Sequence, residues 1–182
     1  PGFIASDLLA QAEHDPAASS ILVTDCRRLA KEVQQAVDLQ AGSLQRKDIF
    51  NRALREWGAI LITGDLSRGV DLINRIAPEH LGLHLSDPWE VLDRILNAGA
   101  IFMGAWSPET AGDYWAGPNH ILPTNQTARF SSPLGTNDFM KSSSLIQYTK
   151  EALKNDAAAI ITFAEMEGLD GHANAVTQRT SC

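Results

Sequence analysis

Side chains able to do chemistry stand in a few places along the chain. Gln11 and His14 are three residues apart in a stretch of helical periodicity, so they project from neighbouring faces of one turn. Glu79 and His80 form an acid–base dipeptide directly after Pro78. Asp113 lies in AGDYWAGPNH, and His172 follows Gly171 where a last helix starts. An amide oxygen, imidazoles and a carboxylate make a mixed N/O donor set suited to zinc. A histidine titrates near neutrality, which suits proton transfer. Each group also has an ordinary structural reading. Glu13 and His14 fit an exposed helix end, and Asp113 fits a turn beside Gly112. Glu79 and His80 fit surface charges at a strand entrance, and His172 fits a helix cap. His84 alternates with leucines and reads as structural or exposed. QxxH spacing alone is no metal motif.

The surrounding pattern predicts the elements that carry these groups. Residues 3–14 have helical spacing, with Ile4, Leu8, Leu9 and Ala12 on one face. Asp15-Pro16 stops that helix. SILVT at 20–24 and AILIT at 59–63 predict strands, and Asp25 is expected to cap a helix running to about Val37. Further helices are predicted over about 46–57 and from Asp65 to about Ile76. HLGLHL at 80–85 and Ala100–Met103 predict two more strands. Between them Asp87 is expected to cap a helix with Pro88 at its first position. This alternation predicts an α/β fold with a mostly parallel sheet flanked by helices, an incomplete Rossmann-like arrangement. Residues 105–137 are rich in Pro, Gly, Asn, Thr and Ser and predict a long loop that carries Asp113. Its aromatic residues favour an ordered site loop over disorder. A strand at about 143–148, a helix over about 150–167, breaks at Gly168 and Gly171 and a terminal helix complete the chain. The expected division is therefore 1–137 as the α/β domain and 138–182 as a small C-terminal helical arm.

Composition narrows the function class. The 182 residues carry a formal charge of −7, which argues against nucleic acid as a partner. No apolar run approaches the ~20 residues that cross a bilayer. Cys26 and Cys182 form no CxxC pair, which predicts a reducing, cytoplasmic setting without a disulfide framework. The chain opens on Pro1-Gly2 without a Met, which reads as a cut.

Longer strings resemble histidinol dehydrogenase. They are DLLAQAEHD at 7–15, INRIAPEHLGL at 73–83, NAGAIFMGAWSPETAGDYWAGPNHILPT at 97–124, TARFSSPLG at 127–135 and AEMEGLDGHANAV at 164–176. They occur in the family's order and span nearly the whole chain. The resemblance implies oxidation of L-histidinol through an aldehyde to L-histidine, with two NAD consumed. It also implies zinc, and a homodimer whose C-terminal arms are exchanged. Carried over by position, it implies Gln11, His14, Asp113 and His172 as zinc ligands and Glu79 and His80 as the catalytic pair. Glu167 would contact substrate, as would His80 and the ligands Gln11, His14, Asp113 and His172. His80 would remove the hydroxyl proton, and Glu79 would activate the water that adds to the aldehyde. The chain matches only about the last two-fifths of the family's length and lacks GxGxxG, so most of the NAD site is expected to lie elsewhere. Three further readings stand beside the enzyme: a zinc- or imidazole-ligand-binding module, a fragment inactive alone, and half of a split enzyme.

Overall fold

The structure, a computed structural model, describes residues 1–181. Cys182, one of the two cysteines used above, lies outside the described residues. Cys26 is a free thiol. The chain forms two compact units, Pro1–Phe139 and the residues from Met140 onward.

In the first unit, α1 (Gly2–Ala12), β1 (Ser20–Thr24), α2 (Arg27–Ala41), α3 (Lys47–Trp57) and β2 (Gly58–Ile62) share one apolar core. The periodicity that predicts α1 is realised in burial: Ala5, Leu9 and Ala12 face inward. Val33 and Val37 of α2 and Phe50 and Ala53 of α3 meet them. Leu9, Val33 and Phe50 are fully buried, each contributing about 1.5–3 kcal/mol of transfer free energy. β1 and β2 pair in parallel, with Ser20 opposite Gly58 and Thr24 opposite Ile62. The Ser20 hydroxyl donates to the Leu8 carbonyl at 2.7 Å and ties β1 to α1.

A second core forms around α4 (Leu66–Ile76), β3 (His80–Leu83), α5 (Trp89–Leu92) and β4 (Ala100–Met103). Asp65 caps α4 by accepting from the Arg68 amide at 2.8 Å. Ala77 ends α4 in the left-handed region at φ 49°, and this sharp turn with Pro78 delivers Glu79 and His80 to the start of β3. β3 and β4 pair in parallel, His80 opposite Ala100 and Leu83 opposite Met103. Asn74 holds the turn into β4: its side-chain oxygen accepts from the Leu96 amide at 2.7 Å, and its NH2 donates to the Arg94 carbonyl at 2.8 Å.

The α/β class with parallel strands is observed, but as two separate two-stranded sheets rather than one. Several boundaries move. α1 ends two residues before His14, and α2 runs on to Ala41. Asp25 does not cap α2; the N-cap is Cys26, whose amide bonds the Thr24 hydroxyl at 3.1 Å. Pro88 is the N-cap of α5 rather than its first helical residue, while Asp87 accepts from the Trp89 amide at 3.0 Å. The expected strand at 143–148 does not form: among the described residues this stretch has no strand partner, and Leu145 is 97% exposed. A strand needs a neighbour's ladder, which alternation alone does not supply.

In the second unit, α7 (Lys150–Met166) and α8 (Asp170–Thr180) pack with Ala157, Ala164 and Ala173 buried. Thr149 caps α7 by accepting from the Ala152 amide at 3.1 Å. Gly168 turns the chain at φ 70°, where the Leu169 amide reaches back to the Ala164 carbonyl at 2.8 Å. Among the described residues, no helix is long and apolar enough to cross a membrane.

Candidate metal and acid–base site

Asp113 is not in an irregular loop. The segment after β4 folds locally into α6 (Glu109–Tyr114), a helix of six residues. Gly112 lets α6 approach β4: a Cβ there would lie 2.7 Å from Phe102 Cε1. Glu109 and Asp113 are four apart on α6 and so present their carboxyl groups on one side.

Three elements converge at this point. α1 brings Gln11, with His14 just past its end; the start of β3 brings Glu79 and His80; α6 brings Glu109 and Asp113. One ligand atom each from His14, Glu109 and Asp113 lie within 4.8 Å of one another. Glu109 Oε1 is 3.5 Å from His14 Nε2 and 3.5 Å from His80 Nδ1. His80 Nδ1 lies 3.0 Å from Gln11 Oε1. An amide oxygen can only accept, so Nδ1 carries the proton and Nε2 the lone pair. His80 Nε2 is buried and has no hydrogen-bond partner among the described residues. Its ring rests near that of Phe102, centroids 6.0 Å apart.

The electrostatics follow from burial and crowding. Glu109 is buried, and desolvation, with Asp113, Glu79 and Asp7 adding like charge, pushes its carboxyl up to about 7. Glu79 is also raised, chiefly by burial; Asp113 adds to the rise and His14 opposes it. His80 is lowered, chiefly by burial, with Asp113 opposing and His14 assisting. His80 is therefore held as a neutral imidazole with a free nitrogen, beside carboxyl groups brought toward neutrality. Beside Asp113 opens a cleft of about 460 Å³, lined in part by Phe102, Trp106, Gly112, His120 and Leu122.

The donor chemistry fits zinc: imidazole nitrogen, carboxylate oxygen and a nearby amide oxygen in a partly dry setting. Of the residues expected at the site, Gln11, His14, Glu79, His80 and Asp113 belong to this first unit. Glu167 is the C-cap of α7 and His172 lies in the first turn of α8, both in the second unit. Sequence reasoning missed Glu109. The signal was its spacing of four from Asp113, hidden because SPETAGDYW reads as loop.

Comparison with known proteins identifies the family. The family model for histidinol dehydrogenase matches residues 1–180. Histidinol dehydrogenases of Clostridium acetobutylicum and Halalkalibacterium halodurans are 50% and 51% identical over 179 residues, which is 98% of this chain and 42% of each relative. The crystal structure of histidinol dehydrogenase from Elizabethkingia anophelis superposes with a TM-score of 0.93 at 35% identity, covering 100% of this chain and 42% of that one. The chain thus spans about two-fifths of the length of the relatives it matches, and within that span it belongs to the histidinol dehydrogenase family.

Proposed function

We propose that the chain supplies the metal donors and the proton-transfer groups for NAD-dependent oxidation of L-histidinol to L-histidine. The observation that carries this is the convergence of Gln11, His14, Glu79, His80, Glu109 and Asp113 from three elements, with His80 Nε2 buried and unpartnered. Zinc would be held by His14 and Asp113, with Gln11 and His172 completing the set that the family resemblance implies. Bound there, zinc has no redox chemistry of its own and would anchor the substrate's nitrogen groups.

The chain's own residues then do the proton work. His80 Nε2, neutral because burial lowers its pKa, accepts the hydroxyl proton as the carbinol C–H leaves as hydride to NAD. Glu79, raised by burial, accepts a proton as water adds to the aldehyde carbon. His80 returns its first proton to the aldehyde oxygen as the water adds, and then takes the hydrate's hydroxyl proton as the second hydride leaves to a second NAD. The cleft beside Asp113 gives the substrate room, and Glu167 would pair with a cationic group on it. The second unit would act as a dimerisation arm exchanged between copies. A monomer in sedimentation that retains its full zinc content would contradict the exchange.

The kinetic signature separates the two oxidations. With NADH formation followed from L-histidinol and from the aldehyde, His80→Asn slows both steps, by about 100-fold or more for loss of a positioned base. Glu79→Gln mainly impairs aldehyde oxidation. Intact aldehyde oxidation in Glu79→Gln would remove the role given to Glu79. Tight L-histidinol binding with no NADH formed under any condition would favour a binding module.

A further inference from the structure

The site lies on a seam. α1, which carries the donors, packs into the first apolar core, and β3, which carries Glu79 and His80, packs into the second. Among the described residues, no strand of one sheet pairs with a strand of the other. α4 connects the halves on one side, with Gly69 against Val23 and Thr63 and Val70 in the second core. On the other side a stripe of α1 faces β3 and the residue after it, the segment after β4, and α6. Phe3, Asp7 and Gln11 recur every four residues, and His14 follows just past the helix end.

Each stripe residue makes a contact across the seam. Phe3 meets Trp106 with ring centroids 5.6 Å apart. Asp7 Oδ2 is 2.9 Å from His84 Nε2. Gln11 meets His80 at 3.0 Å and His14 meets Glu109 at 3.5 Å. Phe3 and Trp106 are largely exposed, whereas the Asp7 and His84 side chains are 29% and 19% exposed. Gln11 and His14 are the groups that metal engages, and His80 is the group that meets substrate. The His14–Glu109 contact therefore gives way when metal takes His14 Nε2. Asp7–His84, one turn along α1 and four residues along the chain from His80, takes no part in that exchange.

Resting on the metal-site reading above, we propose that Asp7 and His84 are positioning residues. Their contact fixes the register of α1 on β3 and so keeps Gln11 and His14 facing Glu79 and His80 once those groups have turned to metal and substrate. His84, just past the end of β3, is thus a working part of the site.

The test is a Co2+ titration of the metal-free protein, followed by the visible absorption of bound cobalt. Wild type gives a saturable band that His14→Ala abolishes; if wild type gives none, the metal-site reading fails and takes this proposal with it. Given the band, Asp7→Ala weakens Co2+ binding by about tenfold or more and changes the band's shape, the scale expected when an outer-shell contact is lost. Asp7→Asn, whose amide oxygen still accepts from His84 Nε2, restores most of the affinity. The double variant Asp7→Ala/His84→Ala is no weaker than Asp7→Ala, because the two act as one unit. Unchanged affinity and spectrum in folded Asp7→Ala overturn the proposal, even if that variant melts lower. Equal losses in Asp7→Asn and Asp7→Ala also overturn it.

Discussion

Glu109 shows what a single buried carboxyl does here. It touches both His14 and His80, and burial among other acids raises it to about 7. The sign of its effect on stability follows from proton linkage. A carboxyl whose folded pKa lies above its ordinary 4.5 stabilises the fold fully below that value, and the contribution disappears as pH rises toward about 7. Glu79 is shifted in the same direction, and His80 in the sense that costs stability at acid pH. Comparing melting curves of metal-free wild type and Glu109→Gln isolates the one group. The wild type loses stability relative to the variant between about pH 4.5 and 7, and above pH 7 the variant is the more stable. Parallel curves would show that folding does not shift the Glu109 carboxyl. At this scale the sequence was partly legible: Gln11, His14, Glu79, His80 and Asp113 stand out by type, while their roles came from the family resemblance. Glu109 did not, because its meaning depends on helix α6. Asp7 and His84 did not, because they lie 77 residues apart in sequence.

At the scale of elements, close backbone approach sets the site's dimensions. The Glu79 carbonyl accepts from the Ala100 amide at 2.8 Å, and the Pro78 carbonyl accepts from the Gly99 amide at 3.0 Å. A Cβ on Gly99 would sit 2.6 Å from that Glu79 oxygen, so any side chain there displaces the backbone carrying Glu79 and His80. Gly99→Ala is expected to cost about 1–3 kcal/mol, the usual cost of overpacking, and to lower kcat for both oxidations. Denaturant unfolding with the two assays measures this; a stable variant with unchanged kcat would mean that the β3–β4 entry does not hold the pair in place. Strands β1 and β4 were readable from short apolar runs between turn residues. The failed strand at 143–148 had the same local signal, but Leu145 and Ile146 lie 97% and 79% exposed with no partner to pair with. α6 was unreadable for the opposite reason: its Pro- and Gly-rich surroundings mask one short helix held by the Gly112–Phe102 approach.

For the whole molecule, two apolar cores and a separate helical unit explain why the α/β class was legible while its division into two small sheets was not. Alternation of strands and helices specifies parallel pairing within each half but carries nothing about whether the halves share hydrogen bonds. The seam that results is where Gln11 and His14 meet His80 and Glu109. Family membership covers residues 1–180, and His14 beside α1 and Glu109 and Asp113 of α6 form a group that could hold a metal ion next to His80. The most direct test is metal content by inductively coupled plasma mass spectrometry. The protein is stripped, dialysed against zinc and freed of excess. The account predicts about one zinc per chain, as for a single mononuclear site, lost in both His14→Ala and Asp113→Ala while the fold is retained. Wild type that returns without zinc, or variants that keep it, would contradict the assignment of these residues to a metal centre.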